Sequence, residues 1–148
     1  MRLEGHFSVA AGQADVYDFL TDPRRVSLHI PDVKEVEIQD ADHFTIKALV
    51  GISHIKGTMA MKLTITDRRP PVSTTMAGKG SGLASVVAMV TSFTLEPSDG
   101  GTRVHWCGDV NIAGKLAAFG PHGLLDRMAR QNVEKFIEGV RVGIERQV

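Results

Sequence analysis

The sequence predicts an α+β domain in which a curved antiparallel sheet of about seven strands wraps a long C-terminal helix. Three observations carry that expectation: an alternating segment followed by two short helical segments before residue 31, a series of six alternating segments between 33 and 112, and one amphipathic stretch after 123. A chain of 148 residues buries roughly two-thirds of the surface that it exposes when unfolded, enough for one core. Residues 1–148 are therefore read as a single domain.

Leu3, Gly5, Phe7 and Val9 alternate with Arg2, Glu4, His6 and Ser8, the period of a half-buried strand. In "GQADVYDFLTDP", Val16, Phe19 and Leu20 recur at helical spacing, and Pro23 suits the first position of a second short helix over 23–29, which Pro31 closes. Strands are predicted over 33–39, 43–50, 54–66, 72–80, 84–96 and 102–112. Their junctions, "DAD", "GIS", "DRRPP", "GSG" and "SDGG", supply the Gly, Pro, Asp and Ser that tight reversals require, and such short connections favour antiparallel neighbours.

One face of these strands carries Phe44, Ile46, Ala48, Met59, Met61, Leu63, Met89, Phe93, Trp106 and Val110, and the other carries Lys47, Lys56, Lys62, Arg103 and Asp109. In the last helix, Leu125, Met128, Asn132 or Val133, Phe136, Val140 and Ile144 form an apolar stripe beside a charged face. Between strand and helix, Leu116, Ala117 and Phe119 run into Gly120, Pro121 and Gly123, so 113–123 is expected to be a short apolar helix or loop broken from the main helix.

Composition excludes several functions. Lysine plus arginine and aspartate plus glutamate balance at 17 each, with no basic cluster able to neutralise a row of phosphates, so nucleic acid is not an expected partner. Cys107 is the single cysteine, which rules out an intramolecular disulfide and fits a reducing compartment. The N-terminus alternates polar and apolar residues without a signal-peptide core, and nothing approaches a membrane span. The expected location is the cytoplasm, with any membrane contact peripheral, at the inner face.

The candidate chemistry is sparse. His6, His29, His43, His54, His105 and His122 show no paired helix-face spacing and no accompanying Cys or carboxylate cluster, so no metal site is expected. "GKGSG" precedes a strand-like segment rather than a helix and reads as a turn, not a phosphate loop. Cys107 falls on the face opposite Trp106 with no activating base in view, and the inward register offers almost no ionisable group for acid/base work.

Taken together, "GHFSV", "DPRRVSLHIPDVKEVEI", "VGISHIKGTM", "GKGSG" and "GGTRVHW…DVNIAGKLAAFG" resemble the CoxG family of carbon monoxide dehydrogenase subunits, within the START-like or SRPBCC superfamily of helix-grip proteins. The resemblance covers nearly the whole chain. It implies a cavity between sheet and long helix that accepts an apolar molecule such as a lipid, sterol, polyketide or quinone. It also implies an accessory role beside a molybdenum hydroxylase, with membrane attachment and electron transfer to quinone. Family sequences often read Pro-Gly where this chain has Pro31-Asp32, and some carry a C-terminal extension toward the membrane, whereas this sequence stops at Val148.

From the residues alone, Met59, Met61, Met89, Phe93, Trp106, Met128 and Phe136 read as a packed core, because methionine fills irregular gaps. Under the resemblance they become an adaptable ligand wall, with Asn132 orienting a carbonyl or hydroxyl or else satisfying an internal polar group. Burying about 500 Å² of apolar ligand at about 25 cal/mol per Å² yields roughly 12 kcal/mol before association costs of about 6, hence a dissociation constant on the order of ten micromolar. That arithmetic favours a prenyl or fatty chain over a small acid. Leu116, Phe119, Gly120 and Pro121 are expected to gate the cavity or, where exposed, to touch a membrane or partner.

Three functions follow: binding and transfer of a hydrophobic small molecule without catalysis or a covalent cofactor; a cyclase or dehydratase using the same cavity; or an assembly and recruitment component for an oxidoreductase.

Overall fold

The computed structural model describes residues 1–147, with the side chains of 120–122 outside the description. Strand β1 (Arg2–Val9) leads into helix α1 (Gln13–Leu20) and helix α2 (Pro23–Val26), which continues as a 3-10 turn over Ser27–His29. Six strands follow, β2 (Val33–Ile38), β3 (His43–Ile52), β4 (Ile55–Arg69), β5 (Ser73–Gly82), β6 (Ser85–Ser98) and β7 (Gly101–Gly114), then a 3-10 segment over Lys115–His122 and helix α3 (Leu124–Arg146). The strands form one seven-stranded sheet in the order β1-β7-β6-β5-β4-β3-β2, antiparallel at every junction. The predicted α+β architecture is the observed one.

Local chemistry explains where the elements begin. Asp22 accepts a hydrogen bond from the Arg24 amide at 3.0 Å, and Pro23 follows it in the first turn of α2, so an orphan amide is capped by an acidic side chain. Gly123, at φ +71°, sits immediately before α3, where a side chain would be strained.

One turn expectation is corrected. "GKGSG" is the last part of β5 rather than a reversal. The reversal is Leu83-Ala84, both at positive φ (53° and 54°). Gly78 and Gly80 lie where side chains of the neighbouring strands cross β5 on its concave side. A Cβ on Gly78 would stand 2.8 Å from Leu63 Cδ2 and 2.9 Å from Met89 Cγ, and one on Gly80 would stand 2.6 Å from Met61 Cγ. The glycines thus answer to close packing, not to a turn. Because Ala84 occupies a left-handed conformation without being glycine, Ala84→Gly is expected to raise stability by about 0.5–1 kcal/mol, read as an upward shift in the urea midpoint.

The core has two parts. The larger gathers Val16, Phe19, Leu20, Phe44, Leu63, Phe93, Val104, Val140 and Ile144; the smaller, at the other end, gathers Ile52, Met59, Leu116 and Leu125. Helix α3 is therefore held at both ends, by Leu125 and by Val140 with Ile144, whereas Met128, Val133, Phe136 and Ile137 between them are only half-buried. The middle of the helix stands off the sheet.

Candidate ligand cavity

Beneath that stand-off lies a cavity of about 210 Å³. Ile46 of β3, Met61 and Leu63 of β4, Met76 of β5, Thr91, Met89 and Phe93 of β6, and Trp106, Gly108 and Val110 of β7 form its sheet wall. Asn132, Val133, Phe136 and Ile137 of α3 form the opposite wall, with Leu3, Ile30 and Pro31 at the sides. Among the described residues no lining side chain is ionisable, and they offer dispersion contacts and three polar handles: the Thr91 hydroxyl, the Trp106 indole N–H and the Asn132 amide.

Of the residues singled out from the sequence, Met61, Met89, Phe93, Trp106, Asn132 and Phe136 come together in this wall. Met59 and Met128 do not: both pack in the smaller cluster with Leu116 and Leu125. The reason is their place along the elements. Met59 lies two residues before Met61 on the same face of β4, and Met128 one turn before Asn132 on α3, so both fall beyond the end of the cavity. Asn132 is exposed while lining the cavity, which puts it at the mouth rather than inside.

Sequence reasoning missed Gly108, Met76, Ile30 and Pro31 as lining residues. Gly108 carried a readable signal, a lone glycine inside a strand, which often marks space left for something else. A Cβ there would meet only Thr91 Oγ1, at 3.4 Å, so the glycine leaves room that the fold does not fill. Across the sheet, the Trp106 indole lies flat on Gly5, where a Cβ would be 2.7 Å from its Cζ2. Gly5 thereby sets the tryptophan's orientation in the wall.

The gate residues divide. Leu116 is 1% exposed, its amide donating to the buried Ser85 Oγ at 2.9 Å, while the Lys115 amide donates to the Ala84 carbonyl at 3.0 Å. An exposed Leu116 touching a membrane is thus not what the structure contains; the β5–β6 turn holds this stretch down. Phe119 is half-buried against the same cluster, and the expectations for Gly120 and Pro121 lie outside the described residues.

Pro31 is positioned by the turn that follows it. Asp32 has φ +59°, a conformation that suits glycine and that aspartate tolerates better than most residues, which accounts for the Pro-Asp departure from Pro-Gly. Just before, the His29 ring lies against Phe19, centroids 5.5 Å apart, and fills a notch on α3 made by Gly139 and Gly143. Burial holds the His29 pKa below its ordinary 6.5. Because the unfolded chain then binds the proton more tightly, stability is full above pH 6.5 and declines as pH falls through that value toward the lower folded-state pKa. Thermal midpoints are expected to fall between about pH 7.5 and 5, and His29→Gln is expected to flatten that slope.

Among the described residues no group of three His, Cys, Asp or Glu is placed to hold a metal ion, and no helix is long and apolar enough to cross a membrane. Cys107 is half-buried on the convex face, away from the cavity.

The size of the cavity narrows its chemistry. Ligand sites commonly run from about 300 to 1,000 Å³, and an apolar cavity of about 150 Å³ seats benzene. A space of about 210 Å³ seats a ring and its substituents, while a long chain would keep most of its length outside.

Comparison with known proteins agrees with this architecture. A conserved protein from Geobacillus kaustophilus superposes with a TM-score of 0.87 at 23% identity, covering 99% of this chain and 96% of that one. An uncharacterized protein from Rhizobium leguminosarum gives 0.69 at 18% identity over 99% and 95%, and a protein from Thermus thermophilus gives 0.68 at 14% over 97% of each chain. At these identities the likeness speaks for the fold. No curated protein matches the chain. The family model for CoxG, the G component of carbon monoxide dehydrogenase, matches residues 5–145, nearly the full length of the seven-stranded sheet and its helix. The chain belongs to the CoxG family of carbon monoxide dehydrogenase subunits.

Proposed function

We propose that this protein binds and transfers a hydrophobic small molecule, held by a ring or other compact apolar end in the cavity between sheet and α3, as an accessory to a molybdenum hydroxylase such as carbon monoxide dehydrogenase. The observation that carries the reading is an unfilled space lined by Met61, Met76, Met89, Phe93, Trp106 and Phe136, with no ionisable group among the described lining residues. Thioether and aromatic walls favour a planar, polarisable guest such as a quinone head, whose carbonyl at the mouth can accept a hydrogen bond from the Asn132 amide. A prenyl tail would extend past Asn132 toward solvent or a lipid surface, consistent with a cytoplasmic protein that meets the inner face of the membrane only peripherally. Phe119 and the Lys115–His122 segment would then act at the end of the cavity near Met128.

A cyclase or dehydratase role is less well supported, because proton transfer needs a titratable group within hydrogen-bond reach of the guest. Native mass spectrometry of the freshly purified protein, followed by solvent extraction, tests the proposal. The expected result is a stoichiometric mass increment that extracts as a quinone or lipid. A protein that is empty after gentle purification and takes up neither a short-chain quinone nor a fatty acid when offered them would overturn it.

A further inference from the structure

The convex face of the sheet, on the side away from the cavity, carries an unusual charge arrangement. The paired stretches His43–Ile52, Ile55–Thr66 and Ser73–Gly82 contain Lys47, Lys56, Lys62 and Lys79 and not one aspartate or glutamate, although the chain as a whole is neutral. Lys62 and Lys79 stand directly opposite each other in the β4–β5 register. Like charges so placed repel, and an antiparallel pair gains by having them separated. Only Lys47 has an ion-pair partner among the described residues, Glu35 of the edge strand at 3.4 Å.

Next to these lysines, β6 turns a column of Val86, Ala88 and Val90 outward, with Val86 55% and Val90 47% exposed. Ala88 is register partner to Lys79 on one side and Asn111 on the other, and Val86 to Ala113. Over Val86 and Ala88 lies a hollow of about 370 Å³, bordered by Lys79, Asn111 and Ala113. An apolar hollow with Lys79 at its edge and Lys62 opposite that lysine has the anatomy of a protein interface, with an apolar centre and a polar rim.

We infer that this face docks an acidic surface of the oxidoreductase partner, an apolar ridge seated in the Val86–Ala88–Ala113 hollow and flanking carboxylates meeting Lys62 and Lys79. The inference rests on the accessory role proposed above. A protein is favoured over a bilayer because a flat headgroup plane does not fill a hollow, and because Glu35 and Glu37 stand beside Lys47 and offset its pull on anionic lipid. Docking here leaves the cavity mouth at Pro31 and Asn132, on the opposite side of the sheet, free to exchange its guest.

The test uses the full chain and purified carbon monoxide dehydrogenase from the same organism in a surface-binding assay. Wild type is expected to bind with an affinity that falls as salt rises, and Lys62→Glu/Lys79→Glu is expected to weaken binding at least about tenfold while guest uptake by the cavity is unchanged. Val86→Asp provides a second variant that leaves the lysines intact and is expected to weaken binding as well. Binding by wild type that neither variant alters would overturn the docking face and leave the accessory role standing. No binding by wild type would overturn both, with cavity binding still measurable. Lysine-dependent binding to phosphatidylcholine vesicles containing about one-fifth phosphatidylglycerol, without binding to the enzyme, would reassign the face to a membrane and overturn the inference.

Discussion

Gly108→Val is expected to abolish uptake of an apolar guest while leaving the fold intact or firmer. Gly108 sits in the middle of β7, paired with Leu3 of β1 and Thr91 of β6, and lines the cavity with nothing closer to a prospective Cβ than the Thr91 hydroxyl at 3.4 Å. A branched side chain suits a strand better than glycine does and would place its methyl groups in the empty space. Affinity for a ring-sized guest is therefore expected to drop at least about tenfold, and stability to rise by about 1 kcal/mol from added apolar burial. Calorimetric titration and a urea melt on the same preparation read both quantities. Unchanged affinity would mean that the guest sits elsewhere; a collapse in stability would mean that the space at Gly108 is smaller than described.

The second large effect concerns the joint that positions the mouth. Gly143→Ala improves intrinsic helix propensity by about 1 kcal/mol, yet it is expected to destabilise the protein by about 1–3 kcal/mol net because it overpacks a rigid site. The new methyl carbon would lie 2.6 Å from His29 Nε2 and 3.0 Å from Phe19 Cζ, both atoms of aromatic rings with little room to yield. Ile30 and Pro31, the next residues along, line the cavity, so displacement of His29 should also loosen the mouth and speed release of the guest. The double variant His29→Ala/Gly143→Ala is expected to recover part of the lost stability, since removing the ring removes the clash. A cycle showing no coupling between the two sites would contradict the notch.

These two glycines show what a sequence does and does not reveal. The alternation in β3, β4, β6 and β7 identifies the concave face, because strand period and burial are coupled directly, and six of the eight proposed wall residues fall around one cavity. Periodicity assigns a face but not a position along the element. That is why Met59 and Met128, on the correct faces, belong to the cluster around Leu116 instead. Glycines are legible in a sequence mainly as turn formers, which hides the packing role of Gly78 and Gly80, whereas the lone strand glycine Gly108 signals space without saying whether a neighbour fills it; each role depends on which side chain from a neighbouring strand crosses the glycine. The stand-off of α3 is likewise invisible in the sequence, since its apolar stripe continues through the middle although only Leu125, Val140 and Ile144 are buried.

Cavity size also revises the energetics. A guest burying about 500 Å² does not fit within about 210 Å³, so the bound portion is a ring-sized head that buries less apolar surface, and its affinity alone is weaker than the order of ten micromolar expected for the larger guest. Tighter binding would come from a tail lying along the mouth.

The chain has one tryptophan, and it stands in the cavity wall. Fluorescence of Trp106 during titration with menadione, a quinone without a tail, therefore reads occupancy of the cavity itself. Saturable quenching that reaches a plateau in wild type and reverts to weak, linear collisional quenching in Gly108→Val is the predicted result. Linear quenching of equal slope in both proteins would contradict the claim that this space takes a guest.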